Sequence, residues 1–385
     1  MTSQNSSSSA EDWGFPIPGE RFDQKNEMFK RAAWDPAFET LRKRFYQEVV
    51  FQDRLGWNRE DFAVRNASWN TEWAFGMGNS RSNSGLYAWE GLHPKAERFL
   101  EAGGRVTGSP EKMARLVKRA ALHLGADLVG ICRVHPNWVY SHEFNLITHE
   151  HYPIELPEGC TTAVVMAVEM DYETMRSSSM VLQGAATGLA YSKMAFLANL
   201  LAAFIRGLGY RAVPCGNDTA LSIPLAMAAG LGEWSRMGLL VTERFGPRVR
   251  ICKVFTDMPL QSDSYRPFGV VEFCRTCKVC AAHCPSQAIS SGKMTTEGPN
   301  ISSHSGIRKW YINAERCFSF WGTSRIDCTQ CIRVCPFNKR PGVIHDITRL
   351  LIRKWPALNP LFVRIDRWMG YTRPYPPERF WGDLS

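Results

Sequence analysis

The stretch Cys274-Arg-Thr-Cys277-Lys-Val-Cys280-Ala-Ala-His-Cys284-Pro285 decides how this chain is read. A second run, Cys317 followed by Cys328-Thr-Gln-Cys331-Ile-Arg-Val-Cys335-Pro336, completes it. Together the two runs hold eight of the 12 cysteines. The spacing C-x2-C-x2-C-x3-C-P lets one turn of backbone wrap three thiolates around a face of an iron–sulfur cubane. The fourth thiolate, just before proline, is directed to a second cubane. Cys274, Cys277, Cys280 and Cys335 are therefore expected to ligate one 4Fe–4S cluster, and Cys284, Cys317, Cys328 and Cys331 the other. A structural zinc site is the competing reading, but it wants four ligands per metal without the C-x2-C-x2-C triple. The spacing predicts a protein that moves electrons.

The remaining composition is that of a globular protein. With 385 residues, 44% hydrophobic and 22% charged, the chain can bury a substantial core in one large domain or two to three smaller ones. Thirteen tryptophans and 12% aromatics point to large apolar walls around something flat or oily. Cysteine usage for metal ligation implies a reducing or anaerobic setting. The net charge of +9 is spread along the chain rather than concentrated in one tract. It fits an ordinary solvated surface first, and an acidic electron donor, a nucleic acid or an anionic membrane face as alternatives. No run reaches the ~18 to 20 apolar residues of a membrane span; the best, Met194 to Ile205, is closed off by Lys193 and Arg206. The polar start, Met-Thr-Ser-Gln-Asn-Ser-Ser-Ser-Ser, has no apolar core of a leader. The expectation is a cytoplasmic protein, or one on the outer face of the cytoplasmic membrane if a twin-arginine leader has been removed.

Along the chain, residues 1–105 are rich in aromatics and weakly periodic, with one candidate helix over Phe38 to Val49 and Trp57, Trp69, Trp73 and Trp89 in loop-like surroundings. Such a segment is expected to wrap a core made elsewhere. Residues 106–272 supply that core. Ser109-Pro110-Glu111 reads as an N-cap with proline at the first helical position, and Met113, Leu116, Val117, Ala120 and Leu124 follow at helical spacing. Strands are expected over Asp127 to Val134, Thr161 to Met170, Tyr210 to Pro214, Met237 to Thr242 and Arg248 to Phe255. Helices are expected over Leu189 to Arg206 and Leu221 to Ala229. This alternation argues for an α/β or α+β sheet domain. The two-cluster module occupies 273–338. A basic C-terminal segment, 339–385, carries nine Lys/Arg against four Asp/Glu and two helical pieces, Ile344 to Trp355 and Pro360 to Met369.

Outside the clusters the chain is similar to the corrinoid- and iron-sulfur-dependent reductive dehalogenases. The motifs that carry the resemblance run from about Ala126 to Lys339. They include Ala126-Asp-Leu-Val-Gly130, Asn137-Trp-Val-Tyr-Ser141, Tyr191-Ser192, Ser235-Arg-Met-Gly238, Phe245-Gly-Pro247, Lys253-Val-Phe-Thr256 and Met258-Pro-Leu260. The resemblance implies an α+β fold: a nitroreductase-like, corrinoid-binding sheet domain with a ferredoxin-like two-cluster module and a wrapping N-terminal segment. It assigns the proton donor to Tyr191, with Asn217 orienting it and Arg250 stabilising the tyrosinate. Thr187 and Trp321 would shape the substrate pocket. Arg248 shares a strand face with Arg250, but the family pattern selects the latter.

The chemistry implied is reductive cleavage of a carbon–halogen bond with a base-off corrinoid, cobalamin or nor-type, and two 4Fe–4S clusters as the electron relay. No Asp-x-His-x-x-Gly segment occurs among the nine histidines. The implied partners are a small organohalide and an external electron donor, a ferredoxin, a flavodoxin or a membrane redox partner. Peripheral contact with a membrane or an anchor subunit, and a homodimer, are compatible with the basic C-terminal segment; a nucleic acid is not expected. Two other readings stay open. An epoxyqueuosine-type tRNA reductase shares the cofactors but presents an aspartate as donor and appends a basic helical domain. A non-catalytic iron–sulfur electron-transfer protein would need none of the Tyr191, Asn217 and Arg250 set.

Overall fold

The computed structural model describes residues 13–76, 85–91, 104–146 and 148–382. The helices are α1 (Met28–Trp34), α2 (Glu39–Gln47), α3 (Arg59–Thr71), α4 (Pro110–His123), α5 (Tyr172–Arg176), α6 (Leu182–Gly207), α7 (Ser222–Ala228), α8 (Val270–Cys277), α9 (Val279–Ala282), α10 (Ala314–Ser324), α11 (Gln330–Arg333), α12 (Val343–Lys354), α13 (Asn359–Trp368) and α14 (Glu378–Trp381). The strands are β1 (Leu128–Arg133), β2 (His142–Phe144), β3 (His151–Pro153), β4 (Thr162–Glu169), β5 (Ala212–Cys215), β6 (Glu233–Trp234), β7 (Leu240–Val241) and β8 (Val249–Thr256).

The central sheet has the order β1-β4-β8-β5, and every neighbouring pair is antiparallel. The fold is therefore α+β. The unbroken apolar run of β4 is explained by its two covered faces, because side chains alternate across a strand. Val164, Met166 and Val168 point to α4 and α6, where Met113, Val117, Met194, Ala198 and Leu201 lie in the same buried cluster. Ala163, Val165 and Ala167 point the other way, to Leu225 and Ala226 of α7 and to Trp138. Each large apolar side chain buried in this way contributes about 1.5 to 3 kcal/mol.

α4 begins where its capping residues predict. The Ser109 hydroxyl accepts from the Lys112 N–H at 3.3 Å, and Pro110 takes the first turn. α6 departs from expectation in two ways. It starts at Leu182, well before Leu189, and carries Gly184 and Gly188 inside the helix. At 26 residues it is long and apolar enough to cross a membrane by composition, yet 56% of its apolar window is buried inside the protein. α6 is the core helix, lying against β8, β5 and β4 on one side and α3 on the other.

The N-terminal segment also differs from expectation. Trp69 lies in α3 and Trp73 in the π-helical turn Glu72–Gly76, not in loops. Their helix is fixed by a capping box in which Asn58 and Asp61 satisfy each other's N–H groups at 3.0 and 3.1 Å. The sequence concealed α3 because the tertiary contact with α6, rather than a strong apolar stripe, holds it in place. The strand expected over Met237 to Thr242 shrinks to β7, paired with the equally short β6.

α3 can lie close to α6 because residue 188 has no side chain. A Cβ there would come within 2.2 Å of the Trp69 indole. Gly188→Ala is therefore expected to destabilise the fold by about 1 to 3 kcal/mol through overpacking. Gly207→Ala, with nothing within 4 Å of its added carbon, should not. Thermal unfolding of the two variants beside the parent checks this, and equal midpoints for Gly188→Ala and Gly207→Ala would refute the close approach.

Candidate functional site

The eight cysteines of the two runs form two groups in space. Burial drives the Cys335 thiol well above its ordinary pKa, and the nearby thiols of Cys274, Cys277 and Cys280 push it further. Burial likewise raises Cys331, with Cys328, Cys317, Cys280 and Cys284 as its thiol neighbours. Cys317 is pushed up to about 12 by burial and then by Cys328 and Cys284. Four soft sulfur donors converge at each place, the donor set that iron–sulfur clusters and zinc prefer. The second run contributes Cys335 to the group made by the first, and the first contributes Cys284 to the other. Arg236, which the sequence offered only as part of a motif, braces the first group. Its guanidinium donates twice to the Cys274 carbonyl at 3.0 Å and to the Ser290 and Gly292 carbonyls at 2.7 and 2.9 Å. It also stacks on Trp310 at 4.4 Å.

Tyr191, Asn217 and Arg250 come together on one side of α6. Asn217 Nδ2 donates to the Tyr191 hydroxyl at 2.7 Å. The Arg250 guanidinium lies 4.8 Å from the centre of the Tyr191 ring, over its face. The bond to the hydroxyl comes from Asn217, and the Arg250 charge meets the ring face. Trp69 stacks on Tyr191 at 5.0 Å and 23°, and Trp73 continues the stack at 5.9 Å. Arg248 does something else. It is fully buried, paired with Glu169, and donates to the Met170 and Lys339 carbonyls at 3.3 and 3.1 Å, tying the sheet to the end of the cysteine module.

Asn217 is held by a buried cation. Lys253 of β8 reaches under residues 216–222, donating to the Gly216 carbonyl, to the Ala220 carbonyl at 2.9 Å and to the Ser222 hydroxyl at 3.1 Å. Burial lowers its pKa, offset by the nearby Asp218. Asp218 in turn accepts from the Gly216 N–H at 2.7 Å and from the Thr219 hydroxyl at 3.0 Å. Thr187 lies one turn before Tyr191 on α6 and is buried. Trp321 is on α10, against Phe29 and Phe45 at 5.4 and 5.5 Å. The Thr187 hydroxyl, the Trp321 Nε1 and the Arg250 Nε are buried polar atoms without a hydrogen-bond partner among the described residues. Of these, Thr187 and Arg250 belong to the elements that carry Tyr191 or meet its ring, whereas Trp321 packs with Phe29 and Phe45.

α6 also reaches the second cysteine run. Gln183 is fully buried; its side chain accepts from the Thr329 hydroxyl at 2.8 Å and donates to the Asp327 carbonyl, beside Cys328. Eight residues separate Gln183 from Tyr191, about 12 Å along a helix axis. One rigid element therefore links a cluster ligand run to the tyrosine.

Compared with known proteins, residues 273–338 match the 4Fe-4S double cluster binding domain family. Tetrachloroethene reductive dehalogenase of Desulfitobacterium hafniense is 37% identical over 335 residues, 76% of this chain. By descent this chain belongs with the reductive dehalogenases. The corresponding enzyme of Sulfurospirillum multivorans is 38% identical over 290 residues, 69% of this chain and 58% of that protein. A solved structure of a reductive dehalogenase, described as suggesting a mechanism for B12-dependent dehalogenation, superposes with a TM-score of 0.73 at 26% identity. It covers 94% of this chain and 48% of that one. The dehalogenase-family chain spans 60% of the length of the Desulfitobacterium relative.

Sequence reasoning also missed Glu72, the first residue of the π-helical turn next to Trp73. It is buried, and burial followed by the nearby Asp218 raises its carboxyl to about 8. An acid whose pKa is higher folded than unfolded contributes full stability below about 4.5, and that contribution fades as pH climbs through about 8. Glu72→Gln removes the ionisation, so it should stabilise the protein at pH 8 by up to ~4 kcal/mol and hardly at all at pH 5. Thermal midpoints across that range check it; a gain independent of pH would show that Glu72 is ionised throughout.

Proposed function

We propose that this chain is a reductive dehalogenase that replaces a carbon-bound halogen by hydrogen, with two 4Fe–4S clusters, a base-off corrinoid and Tyr191 as the proton donor. One observation carries the reading. A tyrosine with a hydrogen-bonded hydroxyl and a cation over its ring sits on the same helix that buttresses a cysteine run, so a proton source and an electron source are held in one frame. An epoxyqueuosine-type reductase would present an aspartate where this chain has Tyr191, and a simple electron carrier would have no use for the Asn217 bond.

The reaction consumes two electrons and one proton and releases halide: R–X + 2e⁻ + H⁺ gives R–H + X⁻. Cys274, Cys277, Cys280 and Cys335 would hold one cluster and Cys284, Cys317, Cys328 and Cys331 the other. The buried, unpartnered Thr187 hydroxyl, Trp321 Nε1 and Arg250 Nε suit the amide rim of a corrinoid or a polar substrate group. When bound, the clusters supply single electrons and the corrinoid supplies the reduction at carbon.

The proton is the protein's task. Asn217 donates into a lone pair of the phenol oxygen, which leaves the Tyr191 proton free to point at the substrate. Once that proton has gone, the same Asn217 bond and the Arg250 charge stabilise the oxyanion. Trp69 covers one face of the ring, and Trp73 backs Trp69. Lys253 keeps the loop carrying Asn217 from relaxing away.

We further propose that electrons arrive from an external donor and that the C-terminal helices serve peripheral contact with a membrane-bound partner. α12 and α13 present an apolar row to solvent, with Ile344 76% and Trp368 87% exposed, flanked by exposed Arg353, Lys354, Arg364 and Arg367. Eight thiolate ligands and four further unpaired cysteines fit the reducing cytoplasm.

Tyr191→Phe deletes one hydroxyl and leaves the Trp69 stack in place. Halide release from organohalides by the corrinoid-reconstituted, anoxic protein should fall ~10² to 10⁴-fold, with iron content unchanged. Arg250→Lys, which keeps charge and loses the planar fork, should fall between the two. Halide release above half the parent rate in Tyr191→Phe would remove the tyrosine from the reaction.

A further inference from the structure

A second cluster of ligating side chains lies away from the cysteines, where the N-terminal segment crosses the β2–β3 hairpin. The hairpin register pairs His142 with Pro153 and Phe144 with His151, which puts His142 and His151 on the same face as diagonal neighbours. Their rings lie 4.7 Å apart, centre to centre. Asp23, contributed from well over a hundred residues earlier in the chain, reaches the same point. Its carboxylate oxygens are 3.0 and 3.1 Å from His151 Nε2. One ligand atom from each of the three residues lies within 4.8 Å of the other two.

We propose that Asp23, His142 and His151 form a binding site for a zinc-like divalent transition cation, completed by water. The donor set decides the class. Two imidazole nitrogens and one carboxylate oxygen suit zinc and its neighbours, whereas magnesium and calcium take oxygen ligands alone. Three protein ligands leave a fourth tetrahedral position for water. Ligand atoms around zinc stand roughly 3.3 Å apart, given bonds of about 2.0 to 2.1 Å. Small side-chain rotations bring these three to that spacing.

The surroundings are those of a supported site. The Ser141 hydroxyl lies 3.2 Å from His142 Nδ1, which fixes the ring and frees its other nitrogen, as outer hydrogen bonds do for metal-bound histidines. The backbones that carry the ligands are already tied together. Arg21 donates to the Val139 carbonyl at 3.2 Å and the Tyr140 carbonyl at 2.6 Å, and also to that of Ile154. The Ser141 N–H donates to the Phe22 carbonyl at 2.9 Å, and the Phe144 N–H to the Gln24 side chain at 3.2 Å. Asp23 caps the turn at Gln24–Asn26 through the Lys25 N–H. The Lys25 ammonium, 3.9 Å from Asp23, is a cation the metal has to displace. His151 is exposed, which gives an ion access. A bound cation would pin the N-terminal segment to the β2–β3 hairpin, beside the point where His304 of the cysteine module stacks on Phe22.

The test uses the full chain with its clusters loaded, dialysed anoxically against zinc chloride. The expected result is one zinc per chain above the iron, with a rise in thermal midpoint. His142→Ala and Asp23→Asn should each lose that zinc and that rise while iron content stays the same. Zinc uptake that is equal in parent and variants, or absent from the parent, would overturn the assignment.

Discussion

The burial of eight thiols in two groups constrains everything around them. Buried thiols resist ionisation, as the raised Cys274, Cys317 and Cys335 show, yet metal ligation requires thiolates. Cluster assembly must therefore release protons and supply the charge that balances four sulfurs in an apolar place. Because each group takes one cysteine from the other run, two stretches of chain are welded by the same event. Cluster binding at these cysteines would then stabilise the fold of the module, as metals do in small metal-dependent domains.

From that module the order passes to the sheet domain through side chains rather than through covalent continuity. Arg236 grips the first run by its carbonyls, Gln183 grips the second from the buried end of α6, and Arg248 ties the sheet to the Lys339 carbonyl. α6 is then a strut laid across the sheet. Tyr191 inherits a fixed distance from the cluster run, and Asn217 is brought to it by a loop moulded on Lys253. A side chain placed this rigidly loses little in ordering when a ligand arrives.

The cysteine module was legible because its signal is local: ligand spacing within one turn says what the backbone can wrap. The α4 start was legible for the same reason, through Ser109 and Pro110. The antiparallel sheet was half legible, since β4 shows the apolar run of a strand covered on both faces but not the direction of its neighbours. The α6 start was not legible, because what packs on its glycines, Arg65 and Asp327 on Gly184 and Trp69 on Gly188, lies far off in the chain. Tyr191, Asn217 and Arg250 were reached through family resemblance, and only the structure shows that Arg250 meets the ring face. Glu72 and the Asp23, His142 and His151 cluster depend on contacts across more than a hundred residues of chain, which no window along the sequence contains.

The interleaving of the two runs is the claim on which the electron path stands. Electron paramagnetic resonance of the reduced, corrinoid-free protein, with iron analysis, tests it through Cys274→Ser, Cys335→Ser and Cys328→Ser. The account predicts that Cys274→Ser and Cys335→Ser lose the same cluster signal and about half of the roughly eight irons of two 4Fe–4S clusters, while Cys328→Ser loses the other signal. If Cys335→Ser instead matched Cys328→Ser, each run would hold its own cluster, and the crossed arrangement would be wrong.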